Sequence, residues 1–462
     1  MKSTLNNLNT TQQLASFVEQ TEYNHLPEDV ISKAKDAILD TIGVTLAGVN
    51  TQAGKIILRY AKTLGGTEQA SVLGGGFQTS FPLAALVNGT FSHSYDYDDD
   101  NWAMMGHPSA PILSAILAIG EEKGMAGKAL LTAYAVGYEV EAKLGNGMNP
   151  AHYGLGWHPT STLGIMGATA ATAKLLQLSS KQIALALGIA ASQASGLRQN
   201  FGTMTKPLHV GHAAMAGVQA AVLAQMGLTA NDSILEAPLG FAKLYTQDDD
   251  FQLEAITNSL GKPYEIIASG SFIKKYPCCA FSHRAIDALL DLVNTYGFSA
   301  QAVAEIECVI GPLTDEVLKY SRPINGTEAK FSLEYCLATA LLDKKLGLAQ
   351  FTDDSVQRDE IQQLYPRIQR RIYADIPKDS TIEKDLPSII KVTLNDGQPF
   401  SQEVVLQKGH PQNPLSQAEL HAKFWECASL ALSPERIEHA FSQLLQLDKV
   451  EHINPLMSIL RG

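Results

Sequence analysis

The residues best suited to chemistry in this chain fall in one stretch, His93-Ser94-Tyr95-Asp96-Tyr97-Asp98-Asp99-Asp100-Asn101-Trp102-Ala103-Met104-Met105-Gly106-His107-Pro108. Four carboxylates occupy five positions, and a histidine stands on each side. The surrounding sequence is Ala, Leu, Ile and Gly of the kind that builds buried helix. Ionisable groups beside a core are costly unless they are paired or used. One chemistry for such a cluster is magnesium binding by an Asp-rich helix, but these acids are contiguous and no second acidic motif follows. A calcium loop fails too, because Asn101 stands where glycine is needed and His107 where glutamate is needed. The plain alternative is an acidic turn that caps a helix beginning near Pro108.

Three further segments carry cations or imidazoles. In Gly156-Trp157-His158-Pro159-Thr160-Ser161-Thr162, the proline biases His158 to an extended conformation just before a helix at Gly164. A histidine there can serve as an acid/base or hold a carboxylate, or the segment is an ordinary capping loop. In Thr205-Lys206-Pro207-Leu208-His209-Val210-Gly211-His212, Lys206 lies in a pre-proline loop ahead of an alanine-rich helix, a recipe for binding a carboxylate. His209 and His212 are read as packing histidines, since zinc would lack a third ligand at the right spacing. The segment from Phe272 to Arg284 offers Lys274, His283 and Arg284 as positive potential, with Cys278 and Cys279 as small buried filler. The set His107, His158, Lys206 and Arg284, with Asp96 as carboxylate partner, suits a small polycarboxylate. Cations would hold its carboxylates while a histidine moves a proton at carbon.

The elements that must position these loops are mostly helices. A chain of 462 residues, 45% hydrophobic and 18% charged, is expected to fold as two or three domains. Helical spacing starts at Leu26-Pro27-Glu28-Asp29 and recurs at 112–121, 128–144, 164–176, 181–194 and 213–225. Many of these carry Ala or Gly on the apolar face, as at Gly164, Gly167, Ala168 and Ala171, which favours close helix packing. After about residue 270 the texture changes. Ala304–Ile310 and Ser388–Leu394 alternate like strands, and Asn395-Asp396-Gly397 supplies a turn to a hairpin partner at 402–406. Helices intervene at 285–296 and 332–342, and 416–447 is helical again. The expected fold is a large all-α helical domain (1–269 and 406–462) plus a smaller α+β lid domain (270–405).

The formal charge of −12 argues against nucleic acid as a partner. Five cysteines without CxxC spacing, a polar N-terminus and no long apolar run point to a reduced cytoplasmic protein with neither disulfides nor a membrane span.

The segments HSYDYDDD, GHPSAP, GWHPTSTLG, KPLHVGHAA and KKYPCCAFSHRAID, in that order, resemble the MmgE/PrpD family, as do GTEAKFSLEYCLA and VLQKGHPQNPLS further on. That family includes 2-methylcitrate dehydratase, cis-aconitate decarboxylase and iminodisuccinate epimerase. The resemblance implies a helical domain from both ends of the chain, an α+β lid, a homodimer, and no metal or organic cofactor. It implies Asp96, His107, His158 and Lys206 as catalytic residues, with His158 or His107 carrying the proton, Lys206 on a substrate carboxylate and Asp96 orienting a histidine. Asp98, Asp99 and Asp100 then become capping or supporting residues. Tyr320 is a weaker match in the lid. With Lys274, His283 and Arg284 it makes up the expected substrate-binding set.

The chain departs from the family pattern in places. Cis-aconitate decarboxylases carry a histidine where this chain has Cys279, and Asp100 stands where many members have threonine. The expected activity is therefore a lyase acting on a small di- or tricarboxylate, dehydration of a citrate-like hydroxyacid first. Epimerisation of an amino- or iminodicarboxylate, decarboxylation, and a non-catalytic helical binding protein are the alternatives.

Overall fold

The structure, a computed structural model, describes residues 9–247, 250–376 and 383–462. Residues 1–8, 248–249 and 377–382 of the two expected domains lie outside the described residues. The chain divides into two compact units. The first comprises residues through Ser94, Asp98–Ser271 and Gln417–Gly462, and the second Tyr95–Tyr97 and Phe272–Ser416.

The first unit opens with helices α1 (Thr10–Gln20), α2 (Glu28–Gly48) and α3 (Gln52–Leu64) and a short antiparallel pair, β1 (Ala70–Val72) and β2 (Phe77–Thr79). It continues through α4 (Phe81–Ser92), α5 (Ser109–Lys123), α6 (Gly127–Met148), α7 (Gly164–Leu175), α8 (Ser180–Ala191) and α9 (Thr205–Gln225). Along α4, α5 and α7 nearly every side chain is buried, so these helices form the interior of the bundle. Small residues set how closely the helices approach. A Cβ built on Gly211 of α9 would lie 2.2 Å from the Leu86 carbonyl oxygen of α4, and one built on Gly89 of α4 would lie 2.8 Å from the Gly211 Cα. The expected small-residue packing recurs at α6 and α7, where a Cβ on Gly137 would sit 2.8 Å from the Gly167 carbonyl oxygen.

Helix α9 starts eight residues before the expected 213, at Thr205, so Lys206 and His209 are helical rather than in a loop. Pro207 falls in the first turn, where its missing N–H costs no intrahelical bond.

The second unit contains α10 (His283–Tyr296), β3 (Val303–Ile310), α11 (Leu333–Asp343), β4 (Ile368–Ile372), β5 (Ser388–Leu394) and β6 (Pro399–Val404). The sheet order is β4-β3-β5-β6, with β3 and β4 parallel and the other pairs antiparallel. The hairpin forms around the expected Asn-Asp-Gly turn, but its second strand begins at Pro399 rather than 402, because Thr393 pairs directly with Pro399. Strand β4 had no clear sequence signature, since its Arg370 and Arg371 interrupt the apolar alternation.

The chain returns to the first unit at Gln417. Residues 407–409 stay in the second, held by Arg284 Nε on the Gln407 side-chain oxygen (3.2 Å) and the Lys408 N–H on Asp287 (2.6 Å). The expected single run 416–447 is broken into α12 (Gln417–Ala428) and α13 (Pro434–Leu445), and α14 (Asn454–Arg461) follows. A buried ion pair between Lys423 of α12 and Asp40 of α2, 2.6 Å apart, ties the C-terminal helices to the N-terminal ones. Among the described residues no helix is long and apolar enough to cross a membrane.

The α4–α9 crossing has no room for a methyl group. Gly211→Ala is expected to lower stability by about 1–3 kcal/mol through overpacking, read as a reduced urea midpoint at unchanged m-value.

Candidate active site

The first unit gathers four histidines, one aspartate and one lysine. His93 caps the C-terminus of α4 and is buried; its Nδ1 lies 2.9 and 2.8 Å from the two carboxylate oxygens of Asp98, which is fully buried. His107 is held from both ends, its backbone N–H on the Thr160 hydroxyl (3.1 Å) and its Nδ1 2.9 Å from the Asp99 carbonyl oxygen. Its Nδ1 is also 3.6 Å from Asp98 Oδ2, and its ring meets that of His93 edge-on at 4.5 Å. His158 precedes the short turn Pro159–Thr162, in the extended conformation its proline demands. Its ring lies 5.7 Å from His93, and its Nδ1 is 3.1 Å from the Nδ1 of His209 on α9. Its Nε2 is buried and has no hydrogen-bond partner among the described residues. Lys206, buried in the first turn of α9, places its ammonium 4.8 Å from the centre of the Phe201 ring.

The loop between α4 and α5 holds this shape through buried hydrogen bonds. Asn101 and Gly106 exchange backbone hydrogen bonds, and the Asn101 amide reaches Ser269 Oγ (2.9 Å) and the Gly270 carbonyl (2.7 Å). Gly106 passes so close to Thr160 that a Cβ would meet its backbone nitrogen at 2.9 Å, and this approach puts His107 beside the Thr160 hydroxyl. Asp99 caps α5, accepting from the Ser109 N–H (3.2 Å), the Ser109 hydroxyl (2.8 Å) and the Ser271 hydroxyl (2.7 Å).

Electrostatics divide the cluster. Burial, then Lys206, His93, His209 and His107, push His158 well below the usual imidazole range, so it is neutral at pH 7. Burial, then Lys206 and His212, bring His209 down to about 4. Two neutral imidazoles sharing one Nδ1–Nδ1 hydrogen bond must divide its roles, one donating and the other accepting.

In the second unit, Asp96 sits at a left-handed φ of 53°. Its carboxylate accepts from the buried Lys274 ammonium at 2.6 Å and its carbonyl from the same group at 2.8 Å. Tyr320 is partly exposed, its backbone N–H on the Phe331 carbonyl (3.2 Å).

Two further members of the expected substrate-binding set lie in this unit. Arg284 spends its guanidinium on structure, reaching the Gln407 side chain and the carbonyls of Glu383, Lys384 and Leu386. These contacts hold the 383–386 segment. His283 is fully buried between the Phe272 and Tyr276 rings, with Nε2 3.2 Å from the Cys278 carbonyl.

Of the eight expected site residues, the first unit brings together His107, His158 and Lys206, and the second pairs Asp96 with Lys274. Within the first unit the carboxylate hydrogen-bonded to an imidazole is Asp98, on His93. His93, Asp98 and His209 were missed as members of the cluster. The sequence marks His93 only as a flank of the acidic run and His209 only as packing; an acid five residues after His93 is the signal of its pairing.

His93, Asp98 and His107 also place possible ligand atoms within 4.8 Å of one another, a spacing that suits a divalent ion. Against that use, Nδ1 of both histidines already lies against an oxygen acceptor.

Comparison with known proteins agrees with the resemblance. The MmgE/PrpD N-terminal domain matches residues 12–254, and the MmgE/PrpD C-terminal domain matches residues 276–447. Human cis-aconitate decarboxylase is 29% identical, covering 98% of this chain and 94% of its own length. The mouse protein of that name is 30% identical over 98% and 93%, and the one from Aspergillus terreus 25% over 97% and 95%.

The helix cap at Asp99 has a pH signature. Burial raises its carboxyl from 3.8 to about 7, with Asp40 and Asp98 adding to the rise against the serine hydrogen bonds. An acid raised by folding stabilises most below its unfolded pKa of 3.8, and that contribution is lost as pH climbs through about 7. Glu139, also raised to about 7 by burial, adds to the same trend. Asp99→Asn should therefore lose less stability than wild type between pH values of about 4 and 8 in urea titrations; an unchanged slope would show that Asp99 is already ionised at low pH.

Proposed function

Because the chain belongs to the MmgE/PrpD family, we propose that it is a lyase moving a proton at a carbon beside a carboxylate of a small tricarboxylate. The observation that carries this reading is the buried, neutral His158, whose Nε2 has no partner among the described residues. A general acid or base needs such an open position, and burial strengthens its interaction with a reacting group. Lys206, beside His158, is assigned to a substrate carboxylate. Asp98 holds the His93 imidazole in place and offsets positive charge in the cluster. Asp96 and Lys274 neutralise each other, so Lys274 is given a supporting role.

The sequence placed dehydration first. The relatives that span the chain favour decarboxylation of a cis-aconitate-like substrate instead. In that reaction the carboxylate on the methylene arm leaves as CO₂. Its bonding pair forms a new double bond, and the pair of the old double bond takes a proton on the far carbon. One proton enters from solvent in each turnover, and His158 is the group assigned to deliver it. Dehydration stays as the second reading because the family resemblance implies a histidine in the decarboxylases where this chain has Cys279, which is almost fully buried. Both readings need no metal.

The deciding experiment is NMR in D₂O with cis-aconitate, 2-methylcitrate and iminodisuccinate. CO₂ loss with carbon-bound deuterium is the expected outcome; water loss would transfer the assignment to dehydration, and exchange with inversion to epimerisation. His158→Ala and Lys206→Ala should each lower turnover by about 10²-fold or more while keeping the fold. Binding without turnover or exchange across the panel would leave a non-catalytic binding protein. Dialysis against a chelator should leave turnover unchanged; loss restored by a divalent ion would reassign His93, Asp98 and His107 as ligands.

A further inference from the structure

A neutral imidazole is a poor acid on its own. If His158 gave its Nε2 proton to carbon and received nothing, it would become an imidazolate. The same ring acting as a base would become an imidazolium beside Lys206. Either outcome is avoided when Nδ1 exchanges a proton at the same moment. The group in contact with Nδ1 is the His209 imidazole, 3.1 Å away.

His209 is suited to that exchange by its place in the fold. It lies one turn into α9 and is half-buried, whereas His158 is 2% exposed. Its backbone carbonyl accepts the Ser161 hydroxyl at 3.1 Å, tying α9 to the turn that carries His158. The groups acting on the pair are Lys206, His93 and His107 for His158, and Lys206 and His212 for His209.

We propose that His158 and His209 form a two-imidazole relay between solvent and the reacting carbon, His209 being a positioning residue that acts through His158. The inference rests on the catalytic reading of His158 given above. The proton balance is explicit. His209 begins with its proton on Nδ1, donated to His158 Nδ1, and His158 begins with its own on Nε2. The carbon takes the Nε2 proton, His158 Nδ1 takes the shared proton, and His209 Nε2 takes one from water. Both rings remain neutral, and one solvent proton has entered for each CO₂ released. After product leaves, water protonates His158 Nε2 as His209 Nε2 releases a proton, which restores the first arrangement with no net change. Run in reverse, the relay removes a proton from carbon, so it serves a dehydration equally well.

The test is His209→Gln, whose amide can still donate to His158 Nδ1 but cannot pass a proton onward. The expected result is a fall in kcat of at least about tenfold, out of the ~10²–10⁴ that general acid–base catalysis supplies, with KM within about twofold. In His209→Gly, whose vacated site admits it, added imidazole should restore turnover in proportion to its concentration. Turnover near wild type in His209→Gln, or a His209→Gly loss that imidazole does not restore, would overturn the relay. A readout independent of substrate is ¹⁵N NMR of histidine-labelled resting protein. A coupling across the His158–His209 hydrogen bond is expected, lost in His209→Gln, and its absence from wild type would overturn the geometry. Wild type inactive on every compound of the panel would overturn the catalytic reading and the relay's role with it; active wild type with active His209→Gln would overturn the relay alone.

Discussion

The close crossing of α4 and α9 governs the helical unit's chemistry. Gly89 lies four residues before His93 at the end of α4, and Gly211 lies two residues after His209 near the start of α9. With no side chain at either position, the two backbones approach until a single Cβ would collide with a carbonyl or a Cα. Close packing of this kind is stiff, because the neighbours cannot relax around an added atom. It fixes the spacing between a helix end that carries His93 and a helix start that carries Lys206 and His209. His158 is delivered to the same place by a turn whose backbone is hydrogen-bonded to Gly196 and to the following residues.

Burial then decides what these groups can do. An imidazole in water titrates near neutrality, but in this bundle desolvation and neighbouring cations keep His158 and His209 neutral. Desolvation works in the opposite direction on Asp99, which becomes a proton-holding cap for α5. Asp98, in contact with His93, is matched to an imidazole instead. Adjacent aspartates therefore have different tasks, one tying down a helix start and the other holding a histidine.

The α+β unit spends its buried charge mainly on its own architecture. Arg284 stitches 383–386 and Gln407 to α10, and Lys274 pairs with Asp96 on the three-residue segment that the α4–α5 loop contributes to this unit. Pairing buried charges in this way is a condition of burying them at all.

Much of this was legible in the chain itself. Residue types marked the histidines, Lys206 and the acidic run as the places for chemistry, and apolar spacing marked a helical part and a part containing strands. The ordered motifs marked the family. The sequence could not say that Lys206 and His209 lie inside a helix, because a proline in a first turn and a proline in a loop look alike along the chain. It could not say that Asp98 is held against the His93 ring, because neighbouring side chains in a turn point in directions set by backbone angles such as the left-handed φ at Asp96. Nor could it pair His158 with His209, which are 51 residues apart. Local sequence determined which groups were present and which elements carried them. Tertiary packing decided which of them meet, because contact between distant residues depends on how closely two helices can approach.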